Sequence, residues 1–281
     1  AKQLYEWMHV KLARSYEEMT NIPKSLIAKC EEHFVYTSVK EVMVQTSAID
    51  GTKKFLFELA DGNYVESVWM KYHHGNSVCI SSQVGCRMGC RFCASTLDGL
   101  ERSLLPGEML DQIYAISKAT GERVSNVVVM GTGEPLDNYE NVMRAIEILT
   151  ADWGFGWSPK RITLSTIGVI PNLKRYLDEC KCHLAVSLHN PFGPERLSVM
   201  PVQGAWPIQE VIDLIKQYDF TGQRRVSFEY TMFAGFNDTK VHADALIRML
   251  KGLECRMNLI RFHKIPDFPY ETSSNGIIEA F

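Results

Sequence analysis

The sequence has no surplus of positive charge. Its 30 Lys and Arg face 33 Asp and Glu, a formal net charge of −3, so it lacks the basic footprint that marks many nucleic-acid-binding chains. It also has no run of about 18 or more apolar residues, and so no membrane helix is expected. The opening Ala1-Lys2-Gln3-Leu4-Tyr5-Glu6 carries no apolar signal core, which makes export unexpected and a cytoplasmic location the expectation. Repeats of fixed period and low-complexity segments are missing too. What is present is 46% hydrophobic residues and only 22% charged ones over 281 positions. That is too apolar for a disordered chain and enough for one substantial core, with room for a small accessory unit. A chain that begins at Ala1 rather than Met, and reads at once as helix, is expected to be trimmed or partial.

Eight cysteines stand at positions 30, 79, 86, 90, 93, 180, 182 and 255. A disulfide framework belongs to small exported domains, which this is not. Half of the cysteines fall between positions 79 and 93, a clustering that points to metal or redox chemistry. Cys30, between Lys29 and Glu31 on an expected helix, reads as packing. Cys180 and Cys182 flank Lys181 where a helix gives way to a strand, and two such thiols could hold a metal only weakly.

The hydrophobic period changes along the chain. Leu4, Trp7, Met8 and Leu12 recur at helical spacing, and Pro23 suits the start of a second helix running through Phe34. From about 40 to 72 the period is two, with strands expected at 41–46, 53–59 and 64–72 and turns at Asp50-Gly51 and Asp61-Gly62-Asn63. After about 77, apolar runs at 78–82, 126–130, 161–165, 184–188, 226–232 and 258–262 alternate with helical segments at 107–118, 139–149, 171–180, 207–218 and 240–251. Such alternation means parallel strands with right-handed crossovers. Six strands suit a partial barrel or an open doubly wound sheet, and in both the chemistry sits at the carboxyl ends of the strands. The expected fold is α/β: a partial (β/α)6 TIM-type barrel over 77–281, with a helix-plus-meander accessory domain over 1–76.

The first run leads into Gln83-Val84-Gly85-Cys86-Arg87-Met88-Gly89-Cys90-Arg91-Phe92-Cys93, a C-x3-C-x2-C pattern. Three thiolates from one loop can hold three irons of a four-iron cluster and leave the fourth open to a substrate. Gly85 and Gly89 let the loop wrap closely, and Phe92 would shield the cluster from water. The competing reading is a zinc knuckle, whose fourth ligand would have to be Cys79, His73 or His74.

This loop resembles the signature of the radical S-adenosylmethionine superfamily. Closer still is its branch of bacterial adenine-C2 methyltransferases acting on 23S rRNA and tRNA. The matching stretches are Cys79-Ile80-Ser81-Ser82-Gln83-Val84-Gly85-Cys86, Met130-Gly131-Thr132-Gly133-Glu134-Pro135-Leu136-Asp137-Asn138, Thr163-Leu164-Ser165-Thr166, Ala185-Val186-Ser187-Leu188-His189 and Asn258-Leu259-Ile260. The resemblance runs over essentially the whole chain. It implies that Cys86, Cys90 and Cys93 ligate a 4Fe-4S cluster whose open iron takes S-adenosyl-L-methionine. Gly133 and Glu134 would face the methionyl amine, and Ser165, Ser187, Leu188, His189 and Asn258 would complete the cofactor site. Without the resemblance, Glu134 reads as a turn carboxylate and a strand-end Ser or Asn as a local cap.

The resemblance also makes Cys79, otherwise a core residue, a redox thiol that forms a disulfide as product is released. It makes Glu66, otherwise a solvated charge, the proton acceptor. The family's scheme uses two molecules of S-adenosylmethionine and radical chemistry, because adenine C2 is electron-poor and a weak nucleophile. One molecule methylates a cysteine near the carboxyl terminus and the other is cleaved by an electron from the cluster. A reductant such as flavodoxin or ferredoxin is implied, along with a monomeric enzyme. No residue here matches that methyl-carrying cysteine. Cys255, which precedes the sixth expected strand, is not its counterpart. The tail is expected to be removed or disordered rather than absent in nature, and a polypeptide of this span to bind S-adenosylmethionine without methylating RNA. Lys160-Arg161, Lys174-Arg175 and Arg224-Arg225 are basic pairs that signal RNA only weakly. A splayed-out adenine needs a pocket more than overall charge. The sister adenine-C8 methyltransferase, an iron–sulfur electron carrier and a zinc-stabilised RNA-binding module remain as other readings.

Overall fold

The computed structural model describes residues 1–36, 39–73, 75–222 and 225–281; His74 and Arg224, named above as a candidate ligand and half of a basic pair, lie outside the described residues. Two short helical stretches open the chain. They are α1 (Lys2–Tyr5), continued by a π-helical turn at Glu6–Val10, and α2 (Lys24–His33). A single regular helix does not form over the first twelve residues: the turn ends at Leu12, which takes a left-handed φ of 53°. Ala13, Tyr16, Met19, Ile22 and Cys30 bury together as a small core of their own.

Three antiparallel strands follow, β1 (Val39–Thr46), β2 (Lys53–Leu59) and β3 (Tyr64–Tyr72). β3 then pairs antiparallel with β4 (Gly75–Ile80), so the meander is continuous with the sheet that comes next. β5 (Gln83–Gly85) and β6 (Leu100–Ser103) form a separate two-stranded hairpin above β4. The remaining strands are β7 (Val124–Val129), β8 (Ile162–Thr166), β9 (His183–Ser187), β10 (Val226–Met232) and β11 (Cys255–Arg261). Within the main sheet, every ladder from β4 to β11 is parallel.

The order in the sheet is β1-β2-β3-β4-β7-β8-β9-β10-β11. Each crossover adds its strand on the same side. A doubly wound sheet would reverse direction at a switch point; this one never does, and the fold is a partial TIM-type barrel. The crossovers are α3 (Pro106–Thr120), α4 (Tyr139–Thr150), α5 (Ile170–Glu179), α6 (Gly193–Val199) with α7 (Ile208–Ile215), and α8 (Lys240–Met249); α9 (Asn275–Ala280) ends the chain. In β8 and β10 apolar residues alternate with polar ones, Thr163, Ser227 and Glu229 among them, that line a cavity. Val127, Ile162, Leu164, Val186 and Phe228 are fully buried.

Two positions differ from the sequence expectation. β4 begins earlier, so Cys79 stands next to its carboxyl end rather than near its start. β11 begins at Cys255, which pairs with Val226, and Asn258 lies mid-strand opposite Glu229. The apolar run starting at 258 marks only part of that ladder, because the amino-terminal half carries exposed Arg256 on an edge strand.

Candidate active site

The hairpin β5–β6 holds the cysteine loop. Gly85 sits at φ +73°, and a Cβ there would lie 2.0 Å from the Gly99 carbonyl oxygen. Close backbone approach, beyond conformational freedom, therefore demands glycine. The Cys86 N–H donates to that same carbonyl at 2.7 Å and the Arg91 N–H to Val199 O at 2.9 Å. The Thr96 hydroxyl lies 3.0 Å from Cys90 O and 2.9 Å from Cys93 O, tying both carbonyls. Cys86, Cys90 and Cys93 line one cavity of about 140 Å³. Phe92 closes it on one side, edge-on to His189 at 4.9 Å and against Phe233 at 5.2 Å.

Burial pushes the Cys86 thiol up to about 11 and the Cys90 thiol up to about 12. A thiolate is therefore costly here unless cationic metal compensates it. Among the described residues, no three His, Cys, Asp or Glu side chains are grouped to hold a single metal ion. The three thiols stand around one cavity. That donor set fits a cube that takes one thiolate per iron.

The facing wall of the same cavity comes from the ends of β7, β8 and β9. It includes Met130, Gly133, Glu134, Ser165, Ser187 and His189. Gly133, at φ +107°, would place a Cβ 2.6 Å from the Gln83 Cβ. Glu134 is buried and its carboxylate already accepts three bonds: from Thr166 Oγ1 at 2.6 Å, from the Leu136 N–H at 3.0 Å and from the Ile167 N–H at 2.9 Å. It therefore caps the turn at Pro135–Asn138 and still faces the cavity, with acceptor capacity left on Oε2. Burial outweighs the three donors and pushes its pKa up to about 7.

His189 holds a left-handed φ of 56°. Its Nδ1 accepts the Thr231 N–H at 2.9 Å, and its carbonyl accepts Asn237 Nδ2 at 2.7 Å. Burial lowers its pKa to about 3, so the ring is neutral with its proton on Nε2. Leu188 is fully buried and does not line the cavity; what it offers the site is backbone, with its N–H bound to Glu229 O at 3.0 Å.

Cys79 and Asn258 stand elsewhere. They line a second cavity of about 490 Å³ inside the barrel, and Met130 borders both spaces. Burial pushes the Cys79 thiol up to about 11. Asn258 Nδ2 donates to Glu229 Oε1 at 2.8 Å. Glu66 lines neither cavity. It sits half-exposed on β3, paired with Lys54 at 2.9 Å, and its carbonyl accepts the Ser81 hydroxyl at 2.6 Å. This places it at the rim, beside the end of β4.

Sequence reasoning missed several buried groups that shape the site. Gln83 accepts the Glu134 N–H at 2.8 Å, Asn138 Nδ2 bridges Ser82 O and Leu104 O at 2.9 and 2.8 Å, and Arg196 is wholly buried behind the cysteine loop. Gln83 and Asn138 bridge segments distant in sequence, which no local pattern announces, and the one available signal was membership in the matching stretches; the partners of Arg196 lie seven to nine residues away, across a loop and a short helix.

Residues 80–246 match the radical SAM superfamily, and residues 1–35 match the ribosomal RNA large subunit methyltransferase N-terminal domain. The chain is 51% identical over its whole length to a probable dual-specificity RNA methyltransferase RlmN of Lachnospira eligens, covering 81% of that protein. It is 49% identical over its whole length to the protein of that name from Porphyromonas gingivalis, again covering 81% of it. The crystal structure of a radical SAM methyltransferase from Sphaerobacter thermophilus superposes with a TM-score of 0.94 at 38% identity, over 99% of this chain and 83% of that one.

Proposed function

Because the chain belongs to the radical SAM superfamily and, within it, to the dual-specificity RNA methyltransferases, we propose that it methylates C2 of an adenine in 23S rRNA and in tRNA. One observation carries this reading: three cysteines of a single loop face Gly133, Glu134, Ser165, Ser187 and His189 across one cavity at the carboxyl ends of the strands. A 4Fe-4S cluster and S-adenosyl-L-methionine bound there would supply the one-electron chemistry and the methyl group.

The chain's own residues then have separable tasks. Cys86, Cys90 and Cys93 hold the metal through three thiolates. Glu134 offers its remaining Oε2 acceptor to an ammonium group. Ser165, Ser187 and the Nε2–H of His189 supply hydroxyl and imidazole hydrogen bonds, and Leu188 and Asn258 hold Glu229 from either side, one through its carbonyl and the other through its carboxylate. Phe92 and its aromatic neighbours exclude water from the cluster side. Glu66, anchored at the rim by Lys54 and Ser81, is the proton acceptor for a base splayed into the barrel mouth. Cys79 is the redox thiol, reaching that base from the inner cavity. The unit at 1–76, whose helices pack a core of their own, docks the folded RNA. A low-potential protein such as flavodoxin or ferredoxin supplies electrons to a monomeric enzyme in the cytoplasm. Among the described residues, no helix is long and apolar enough to cross a membrane.

The test begins with anaerobic reconstitution. The chain is expected to take up iron and sulfide and, with dithionite, to release 5′-deoxyadenosine from S-adenosylmethionine. Mass spectrometry of RNA treated with the enzyme extended to the length of its relatives is expected to place the methyl on adenine C2. Zinc in place of iron, or a methyl on C8, would overturn the proposal.

A further inference from the structure

Arg196 on α6 is 0% exposed. Its Nε donates to Leu188 O at 2.9 Å, one terminal nitrogen to Ser187 O at 2.9 Å and the other to Gln203 Oε1 at 2.8 Å. All three acceptors are neutral, and among the described residues no carboxylate pairs with the guanidinium. A buried cation without an anion is among the costliest arrangements a protein interior can hold. Ser187, whose carbonyl Arg196 holds, lines the same cavity as Cys86, Cys90 and Cys93. The helix of Arg196 is tied to the cysteine loop by the bond from the Arg91 N–H to Val199 O at 2.9 Å, and a Cβ added at Gly89 would lie 3.5 Å from Pro201 Cγ just beyond it.

We propose that Arg196 is the built-in counter-cation of the iron–sulfur cluster, favouring its reduced state while holding the Ser187 and Leu188 carbonyls in place. The proposal rests on the reading that Cys86, Cys90 and Cys93 ligate that cluster. Three thiolates on an oxidised cubane leave a net negative charge. Reduction adds one electron, taken from a one-electron donor, and makes that charge larger with no bond made or broken. A fixed buried cation therefore stabilises the reduced form more than the oxidised one. Arg196 touches no reacting atom in this account. It is a positioning and charge-balancing residue, and the redox potential is the property a purely structural role would not move.

Two variants test it. Arg196→Gln removes the charge. Gln203→Glu keeps Arg196 in place: a carboxylate can accept both the guanidinium N–H and the Ile208 N–H, which Gln203 Oε1 now accepts at 3.0 Å, but it sets an anion against the cation. Iron and sulfide content is measured first on the parent chain. A parent without a cluster would overturn the ligand reading itself, and with it the premise here. The midpoint potential is then followed by anaerobic titration with electron paramagnetic resonance of the reduced cluster. Both variants are expected to show at least a tenfold lower ratio of reduced to oxidised cluster at a fixed potential, which is a midpoint more negative by about 59 mV or more. Loaded variants with the parent's midpoint would overturn the proposal. Should Arg196→Gln not fold, Gln203→Glu decides alone. Loss of its cluster from a chain that circular dichroism shows to be folded supports the proposal, since charge balance is what that substitution alters.

Discussion

Glu134 is the place where two strong effects oppose each other, and pH separates them. Three donors at 2.6, 2.9 and 3.0 Å favour the carboxylate, while complete burial favours the neutral acid and wins, lifting the group from 4.5 to about 7. At about 1.4 kcal/mol per pH unit, that rise corresponds to about 3 kcal/mol. The direction follows from proton counts. In the unfolded chain the group loses its proton near 4.5, whereas in the folded chain it keeps the proton until about 7. Between those values the native state binds more protons, so its contribution to stability is complete below 4.5 and lost as pH rises through 7. Urea unfolding of the parent and of Glu134→Gln, from pH 5 to pH 8, isolates this contribution. The parent is expected to lose about 2–3 kcal/mol across that range relative to the variant. The variant's amide faces an N–H donor and carries a constant penalty, so the slope of the difference, not its offset, is what decides. A flat difference, or a parent that gains stability with pH, would show that the three donors outweigh burial. Bound S-adenosylmethionine, offering an ammonium to the carboxylate, should flatten the parent's curve.

Gly85→Ala is expected to cost about 2 kcal/mol or more and to lower iron per chain: the left-handed backbone alone costs about 1–2 kcal/mol, and the new Cβ would meet the Gly99 oxygen at 2.0 Å. A variant with normal iron content and an unchanged melting temperature would refute the close-approach argument. Gln112 is fully buried, accepts from Ser67 Oγ at 2.7 Å and the Ser81 N–H at 2.9 Å, and donates to Ser81 O and Glu108 O at 3.1 Å each. Gln112→Leu orphans several of those groups, at about 1–3 kcal/mol for each one left unsatisfied. The expected drop in melting temperature is roughly 5–10 °C, and a change under about 2 °C in a calorimetric scan would sink the estimate.

What could be read from the sequence was whatever is written locally. Parallel strands buried on both faces announce themselves as apolar runs such as 126–130, and the cysteine spacing marks a loop that must wrap a bulky group. The resemblance groups Gly133, Glu134, Ser165, Ser187, Leu188, His189 and Asn258 with Cys86, Cys90 and Cys93, and all of these but Leu188 and Asn258 line one cavity. Strand ends were less legible. The run at 258–262 misses the first half of β11 because an edge strand shows an apolar pattern only where it is covered, and this misplaced Asn258 and Cys255 relative to the strand. The seven-residue α6 escaped notice because it is too short to show a period, although Pro194 in its first turn fits a helix start.

The residues that were illegible share a physical task. At the carboxyl rim of a parallel barrel the chain leaves the ladder, and each loop carries carbonyls and N–H groups that no neighbouring strand can satisfy. Buried polar side chains from distant segments take up that work. Asn138 holds Ser82 O and Leu104 O, Asn237 holds His189 O and Thr231 O, and Arg196 holds Ser187 O and Leu188 O. Each is unremarkable in its own stretch of sequence, since its partners are carbonyls of strand ends and loops that carry no side-chain pattern. The rim can therefore keep a left-handed His189 and a Glu134 with one acceptor site to spare in fixed positions without a ladder beneath them. Local patterns set the barrel; the aim of its cavity is set by amides and one guanidinium whose meaning exists only after folding.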